Sequence, residues 1–459
     1  QPKKAFKMKI LIIGAGAVGF SIAKQLSAEG HDISVVDVNP KLIRKISEKL
    51  DVSVITGNAT SPSVLESAGV QEAHMVLAVT TSDEVNIVAC ILASKYGNDK
   101  KIKIARIRNS EFTGNKSILK DNGFCVDHMI NPEHIIVESI IKILETPGAT
   151  FAVDFPIGDV ILRGFHVPDD APLVGLKFSE LEDIEYTDSF LIVYIQRDDE
   201  MITPSHSTTI RPDDTIFVLI SKIGLPYFLP MVNRRADEVE KVIIYKASRT
   251  GMLLAERLEN SPIAVTIIEP EKDKAEMAAA SLRTAVVLHG DATEIDVLKD
   301  AAVEITDIFI ALSENEQTNL LTSLLAKKNG AKKTIVLTNE PELVHIINQV
   351  DVDVVVNPRL VTASAILQHV RRGQILSIAK LGDSEAEAIE LIAEEGSEIV
   401  KKPLQKIRFP KKTILGAIIR NNTMLLPKGI EAINPGESVV VFTLPDDIER
   451  VQALFSKKK

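Results

Sequence analysis

The chain has 459 residues, 45% hydrophobic and 25% charged, with two cysteines and no tryptophan. At about 150 residues per domain this suggests roughly three domains, and the composition excludes disordered, collagen-like and coiled-coil classes. Acidic residues outnumber basic ones, 63 to 53, and aromatics make up 4%, so neither a basic phosphate-binding surface nor base-stacking platforms are expected and nucleic acid is not an expected partner. No apolar run reaches the roughly 18 residues of a membrane span. Even His134–Leu144 carries Glu138 and Lys142. Cys90 and Cys125 are too few for a disulfide framework, fit a reducing compartment, and are expected to be buried hydrophobes.

Residues 1–8 read as a loose tail, because the pattern of folded structure starts at Lys9. They lack the roughly 7–15-residue apolar core of a secretory signal, so a cytoplasmic location is expected. Lys9-Ile-Leu-Ile-Ile13 reads as a strand buried on both faces of a parallel sheet. Gly14-Ala-Gly-Ala-Val-Gly19 follows at once and opens a helical pattern through Ile22, Ala23 and Leu26. This is the strand, glycine turn and helix of a dinucleotide site. Gly14 permits the tight turn, Gly16 lets a pyrophosphate approach the backbone, and Gly19 allows close packing, with the helix-start N–H groups facing the anion. Ala17 and Val18 complete that loop.

Asp37 ends the next predicted strand, 21 residues after Gly16. There a carboxylate accepts from a ribose diol, or else it caps the following helix. As a ribose ligand it would repel a 2′-phosphate, favouring NAD(H) or another adenine nucleotide with a free ribose over NADP(H). Lys41 and Arg44 are placed on a solvated helix face. Thr80, Thr81, Asp83 and Asn86 follow the strand Met75–Val79, at the edge where such sheets bind ligands. Thr80–Asp83 serve equally well as a helix N-cap. Arg106 ends another strand at that edge, as a phosphate ligand or as a plain surface residue.

The programme then repeats. Lys241–Gly251 aligns with Lys9–Gly19, 232 residues later, and Val265–Glu269 aligns with Ile33–Asp37. Gly290-Asp-Ala-Thr293 follows Gly57-Asn-Ala-Thr60, and Asn319 follows Asn86. Ile130-Asn-Pro132 matches Val356-Asn-Pro358, each before a helical pattern, and Arg211-Pro-Asp-Asp214 matches Asn434-Pro-Gly-Glu437. Three domains become four: residues 9–147 and 241–372 are Rossmann-like doubly wound α/β domains with parallel sheets, and 148–222 and 373–459 are small β-rich α+β domains. Residues 223–240, with two prolines and mixed charge, read as an exposed linker, and Asn233–Glu240 admits a short helical turn. The second loop is degenerate: Lys246 and Ser248 replace Gly14 and Gly16, and Asn339 replaces Arg106. Glu269 keeps the position of Asp37, either to hold an adenosine ribose or as a relic. Dinucleotide binding is therefore not expected in this half.

No metal-ligand spacing, nucleophile elbow, Walker lysine or paired-cysteine motif is present. The small domains offer no obvious acid or base for hydride chemistry, so an enzyme is not expected; a soluble NAD-dependent oxidoreductase is the alternative.

On the glycine loop, Asp37, Thr80–Asn86, Ala105-Arg-Ile-Arg108 and the strand-rich modules, the chain resembles the TrkA family. These are cytosolic regulatory subunits of bacterial and archaeal Trk potassium uptake systems, built from two tandem RCK (regulator of potassium conductance) units. The resemblance spans Lys9 to about Phe455. It implies a Rossmann-like N-lobe and a TrkA-C C-lobe in each unit, and four chains forming a ring of eight units beneath a membrane-embedded, TrkH-like potassium-conducting dimer. It also implies that nucleotide on the N-lobes biases gating. By position, Gly14, Gly16 and Gly19 match the phosphate loop, Asp37 the ribose acid, Arg106 the phosphate-side arginine and Glu269 the second acid. Ala17 stands where some ATP-binding members carry arginine, leaving NAD(H) the expected ligand of the first N-lobe, with ATP or ADP as alternatives.

Overall fold

A computed structural model describes residues 7–97, 101–109, 111–112, 125–181, 189–198, 200–233, 239–338, 350–370, 375–381, 386–411, 413–428, 430 and 432–457. The first α/β unit runs β1 (Lys9–Ile13), α1 (Ala17–Ala28), β2 (Asp32–Asp37), α2 (Pro40–Lys49), β3 (Ser53–Thr56), α3 (Pro62–Ser67), β4 (Met75–Ala78), α4 (Asp83–Ser94), β5 (Ile102–Arg106), β6 (His128–Ile130) and α5 (Pro132–Leu144). Its parallel sheet has the order β3-β2-β1-β4-β5-β6, so the strand order reverses between β1 and β4. Helix starts are written locally. Asn39 and Asn131 accept from the amides of Lys41 and His134, each with proline at the next position, and Ser82 accepts from Val85. The cap of α2 is thus Asn39, which leaves Asp37 free of that role.

The first small domain contains β7 (Ala149–Asp154), β8 (Val160–His166), α6 (Phe178–Leu181), β9 (Phe190–Arg197), β10 (Glu200–Ile202), β11 (Thr215–Ser221) and α7 (Leu225–Phe228), in an antiparallel sheet ordered β10-β9-β11-β8-β7. Here the structure departs from the expected linker. Leu225–Phe228 and the 3-10 turn Leu229–Val232 are helical, and Phe228, Leu229 and Val232 are buried in this domain's core with Phe165, Phe190 and Val218. Apolar side chains one, three and four residues apart, on one helical face, outweigh the prolines. Of the proposed turn at 233–240, residues 234–238 lie outside the described residues.

The second half follows the same plan: β12 (Lys241–Tyr245), α8 (Arg249–Leu258), β13 (Ala264–Glu269), α9 (Lys272–Ser281), β14 (Val286–His289), α10 (Ile295–Asp300), β15 (Ile308–Ala311), α11 (Glu316–Lys328), β16 (Lys333–Leu337), β17 (Val354–Val356) and α12 (Pro358–Val370). Its sheet order, β14-β13-β12-β15-β16-β17, reproduces the first. Then come β18 (Ile375–Lys380), β19 (Glu387–Ile392), α13 (Glu398–Lys401), β20 (Ile414–Arg420), β21 (Thr423–Leu425), β22 (Ser438–Thr443) and α14 (Ile448–Phe455), with the sheet β18-β19-β22-β20-β21. The repeat shows in its ion pairs: Arg197 grips Asp214 with two 2.7 Å hydrogen bonds, and Arg420, 223 residues later, grips Glu437.

The cores do not follow the boundary at residue 147. Helix α5 puts Ile136, Val137, Ile140, Ile143 and Leu144 against Val242, Ile244, Leu254 and Leu258 of the second sheet unit. Reciprocally, α12 puts Ala363, Ile366, Leu367 and Val370 against Ile10, Ile12, Ile22 and Leu26 of the first. Each half covers the other's sheet, and the two helices pack on each other. The small domains also face one another, joining Phe155, Leu162, Phe217 and Leu219 to Ala388, Ile419, Val440 and Phe442. Cys90 is buried, and burial pushes its thiol up to about 12. Cys125, expected to be buried, is only half-buried and sits in the left-handed region at φ 51°.

Candidate functional site

The carboxyl ends of β1 and β4 diverge at the reversal of strand order, the place where open α/β sheets form a ligand crevice. Gly14 makes the turn at φ +109°, and a Cβ there would lie 3.0 Å from the Thr80 amide nitrogen. Gly19 is required by packing, since a Cβ would come within 1.8 Å of the Gly14 carbonyl oxygen. Gly16 differs: its φ is −66°, and a Cβ would meet nothing within 4 Å. Space above Gly16 is therefore open toward the crevice. Helix α1 starts at Ala17 with Gly16 as N-cap, and no side chain caps it. Its first N–H groups form an anion-binding terminus.

Asp37 is half-buried, with Oδ2 accepting from Ala15 N (2.6 Å) and Oδ1 from Asn39 N (2.8 Å). It pins the glycine loop to β2, and each oxygen keeps a second lone pair for a hydroxyl. Lys41 and Arg44 are exposed, as expected of a solvated face. Thr80 is half-buried and Thr81 exposed at the crevice. The helix cap is Ser82 instead of Thr80, whose hydroxyl donates to Asn86 Oδ1 at 2.7 Å.

Arg106 lines the same crevice. Its Nε is buried without a hydrogen-bond partner, and burial, reinforced by Arg108, holds its pKa below the ordinary guanidinium value. A half-buried cation with a buried, unused donor fits an anionic oxygen. The structure thus brings Gly14, Gly16, Ala17, Val18, Asp37, Thr80, Thr81 and Arg106 to one cleft, with Gly19 beneath it.

Three roles were hidden in the sequence. Fully buried Asn86 accepts from Thr80 N (3.0 Å) and donates to Arg106 O (2.8 Å), stapling the end of β4 to the end of β5. Asn319 repeats this between Ser313 and Leu337. Their match across the repeat was the available signal. Asp83 accepts from Arg108 N and Asn109 N, fixing the loop after β5. The side chain of Arg108 pairs with Glu133 at 3.4 Å.

The second unit has the same frame with opposite occupancy. Glu269 is fully buried and accepts from Ala247 N (2.7 Å) and Glu271 N (2.9 Å), reproducing the Asp37 contacts. Lys246 adopts the Gly14 turn at φ 83° and sets Nζ 3.3 Å from Glu269 and 3.1 Å from Glu271. Ser248, at the Gly16 position, caps α8 by accepting from Gly251 N at 3.1 Å. The strand registers and the Asn319 contact put Leu337, not Asn339, at the position of Arg106, because the second unit is two residues shorter between β15 and β16; Asn339 itself lies outside the described residues. Both loops line one cleft of about 1740 Å³ between the units. Among the described residues, no group of three or more His, Cys, Asp or Glu is placed to hold a metal, and no helix is long and apolar enough to cross a membrane.

The TrkA-N domain family matches residues 10–132 and again 242–358, and the TrkA-C domain family matches 162–229 and 388–456. The fold recurs in the solved GsuK RCK domain, with TM-score 0.60 at 17% identity, covering 99% of this chain and 96% of that one. It recurs in the GsuK channel bound to NAD, with TM-score 0.59 at 17% identity, covering 99% and 80%. Fold and site together define a tandem pair of RCK-type units. The Trk system potassium uptake protein TrkA of Azorhizobium caulinodans is 34% identical over 452 residues, 98% of each chain. That of Vibrio alginolyticus is 34% identical over 454 residues, again 98% of each. The chain belongs to the TrkA family of Trk system potassium uptake proteins.

Proposed function

We propose that the chain regulates potassium uptake by sensing nucleotide, with NAD(H) held by the first unit and ATP or ADP as competitors. One observation carries the reading: the first glycine loop is open above Gly16 and its helix start is uncapped, whereas the second loop satisfies both features with its own side chains. The pyrophosphate lies on the amides around Gly14, Gly16, Ala17 and Val18, with Gly19 supporting the turn. Asp37 takes the adenosine ribose, and Thr80, Thr81 and Arg106 bound the phosphate side. Glu269 holds no ligand while Lys246 occupies it. A solved GsuK channel bound to NAD supports the ligand class.

In this reading the protein is a regulator, not an enzyme. Nucleotide binds one arrangement of the units better than another and thereby shifts a membrane-embedded, TrkH-like potassium-conducting partner between states. Four chains form a ring of eight units on the cytoplasmic face. Calorimetric titration with NADH, NAD, ATP and ADP tests the site. Asp37→Ala and Gly16→Val weaken binding; unchanged binding in both refutes the assignment. In vesicles reconstituted with the potassium-conducting subunit, nucleotide changes potassium flux in the wild type and not in Gly16→Val. Sustained NADH oxidation with a small metabolite would favour an oxidoreductase instead.

A further inference from the structure

The second unit keeps the turn, the acid-to-loop contacts and the helix start of the first while its two binding poles are filled from within. Ser248 Oγ accepts from the Gly251 amide, the third N–H of α8 and the counterpart of the Gly19 amide in α1. A hydroxyl oxygen thus stands where an anionic oxygen acts on the first helix. At the other pole, Lys246 Nζ donates to Glu269 Oε1 and to Glu271, so an ammonium stands where a diol donates to the first acid. Salt bridges and hydrogen bonds hold Lys246 above its ordinary pKa despite burial, so it stays charged at neutral pH. The arrangement also keeps a lysine at φ 83°, a conformation that side chains rarely adopt. The pairing with Glu269 and Glu271 holds it there.

We propose that the second unit is a self-liganded nucleotide site, in which Ser248 replaces the phosphate oxygen and Lys246 replaces the ribose donor. Its loop stays in the filled arrangement whether or not the first unit carries nucleotide. The chain therefore binds one nucleotide, and removing the two side chains reopens the second site.

Two measurements test this. The first is amide exchange of the nucleotide-free full chain, which does not depend on the first unit's ligand. The Gly251 amide exchanges more slowly than the Gly19 amide, and Ser248→Ala speeds it roughly fivefold, the equivalent of one lost cap. The Ala15 and Ala247 amides, both held by acids, serve as references. Equal exchange at Gly19 and Gly251, or no change in Ser248→Ala, overturns the proposal.

The second is calorimetric stoichiometry with NADH, which rests on the first unit being the nucleotide site. Wild type binds one per chain, Lys246→Gly/Ser248→Gly binds two, and adding Gly16→Val returns it to one. Two sites in the wild type, or one in the double-glycine variant, overturn the proposal. No binding in the wild type refutes the first unit's reading instead, and exchange then decides self-liganding alone. Lys246→Gly suits the observed φ, so this variant keeps the turn.

Discussion

Gly16 and Gly19 stand three residues apart in one motif, and the structure gives them opposite reasons to be glycine. Gly19→Ala puts a Cβ 1.8 Å from the Gly14 carbonyl oxygen, where ordinary contact begins near 3.4 Å, so turn and helix must separate by about 1.6 Å. Overpacking against backbone costs on the order of 3 kcal/mol, lowering the unfolding temperature by roughly 6–12 °C for a unit of this size. Gly16→Ala meets no atom and has an ordinary φ, so only the change of N-cap residue costs stability, about 1 kcal/mol or less. Its methyl instead projects into the crevice. A misfit of 1–3 kcal/mol against a bound nucleotide is about a 5- to 150-fold loss of affinity. Thermal unfolding and NADH titration of the two variants read these effects separately. The reasoning fails if Gly16→Ala destabilises as much as Gly19→Ala, or if it binds NADH as tightly as the wild type.

Asn86→Ala removes the partner of Thr80 N and Arg106 O in a fully buried position and should cost about 2–4 kcal/mol in denaturant unfolding; Asn319→Ala should cost a similar amount in the second unit. Arg106→Met relieves a desolvated cation, so urea unfolding should show stability kept or raised while calorimetry shows nucleotide affinity falling roughly tenfold. Burial would raise the Glu437 pKa, but Arg420 and Asn434 outweigh it and hold the carboxyl below its usual range. Its stabilising contribution is complete above the ordinary carboxylate pKa and is lost as pH falls through the lowered value, so thermal unfolding of Glu437→Gln should vary less with pH below about 4.5. The isolated first half, residues 1–233, exposes the apolar face of α5 and lacks α12, so light scattering should show it aggregating where the full chain stays a discrete tetramer, as proposed.

The first unit was legible because its signals are local: an isoleucine-rich run, a glycine turn and an acid at strand end fix β1, α1 and β2 without reference to anything distant. The tandem architecture was legible because copies of the same local signals recur at a nearly constant offset. What lay beyond reading was partnership. The apolar stripe of α5 says that Ile136, Ile140 and Ile143 are buried, not that they are buried on the other half's sheet. Proline and charge in 223–240 suggested solvent, while Phe228 and Val232 close a core assembled from strands up to 83 residues away. Asn86 was placed at the right edge, but its staple to β5 depends on which strands are neighbours. Lys246 was recognised as a lost glycine; its union with Glu269 and Glu271 needs the turn to form first.

That last case shows how a duplicated fold becomes asymmetric at small physical cost. Both acids still hold the loop amide that follows β1 or β12, so neither can be removed without loosening its turn. A binding site built on groups already committed to structure persists even when unused, leaving an anionic pole and an amide terminus that must be satisfied by ligand, water or protein. The second unit meets both needs with two side chains. The exchanged helices then make the difference matter beyond one unit. Since α12 packs on α1 and on α5, and α5 packs on α8, the helices that start at the two glycine loops are joined through two contiguous layers. A rearrangement of α1 has to be accommodated across those layers, against a partner loop whose side chains already hold it in place.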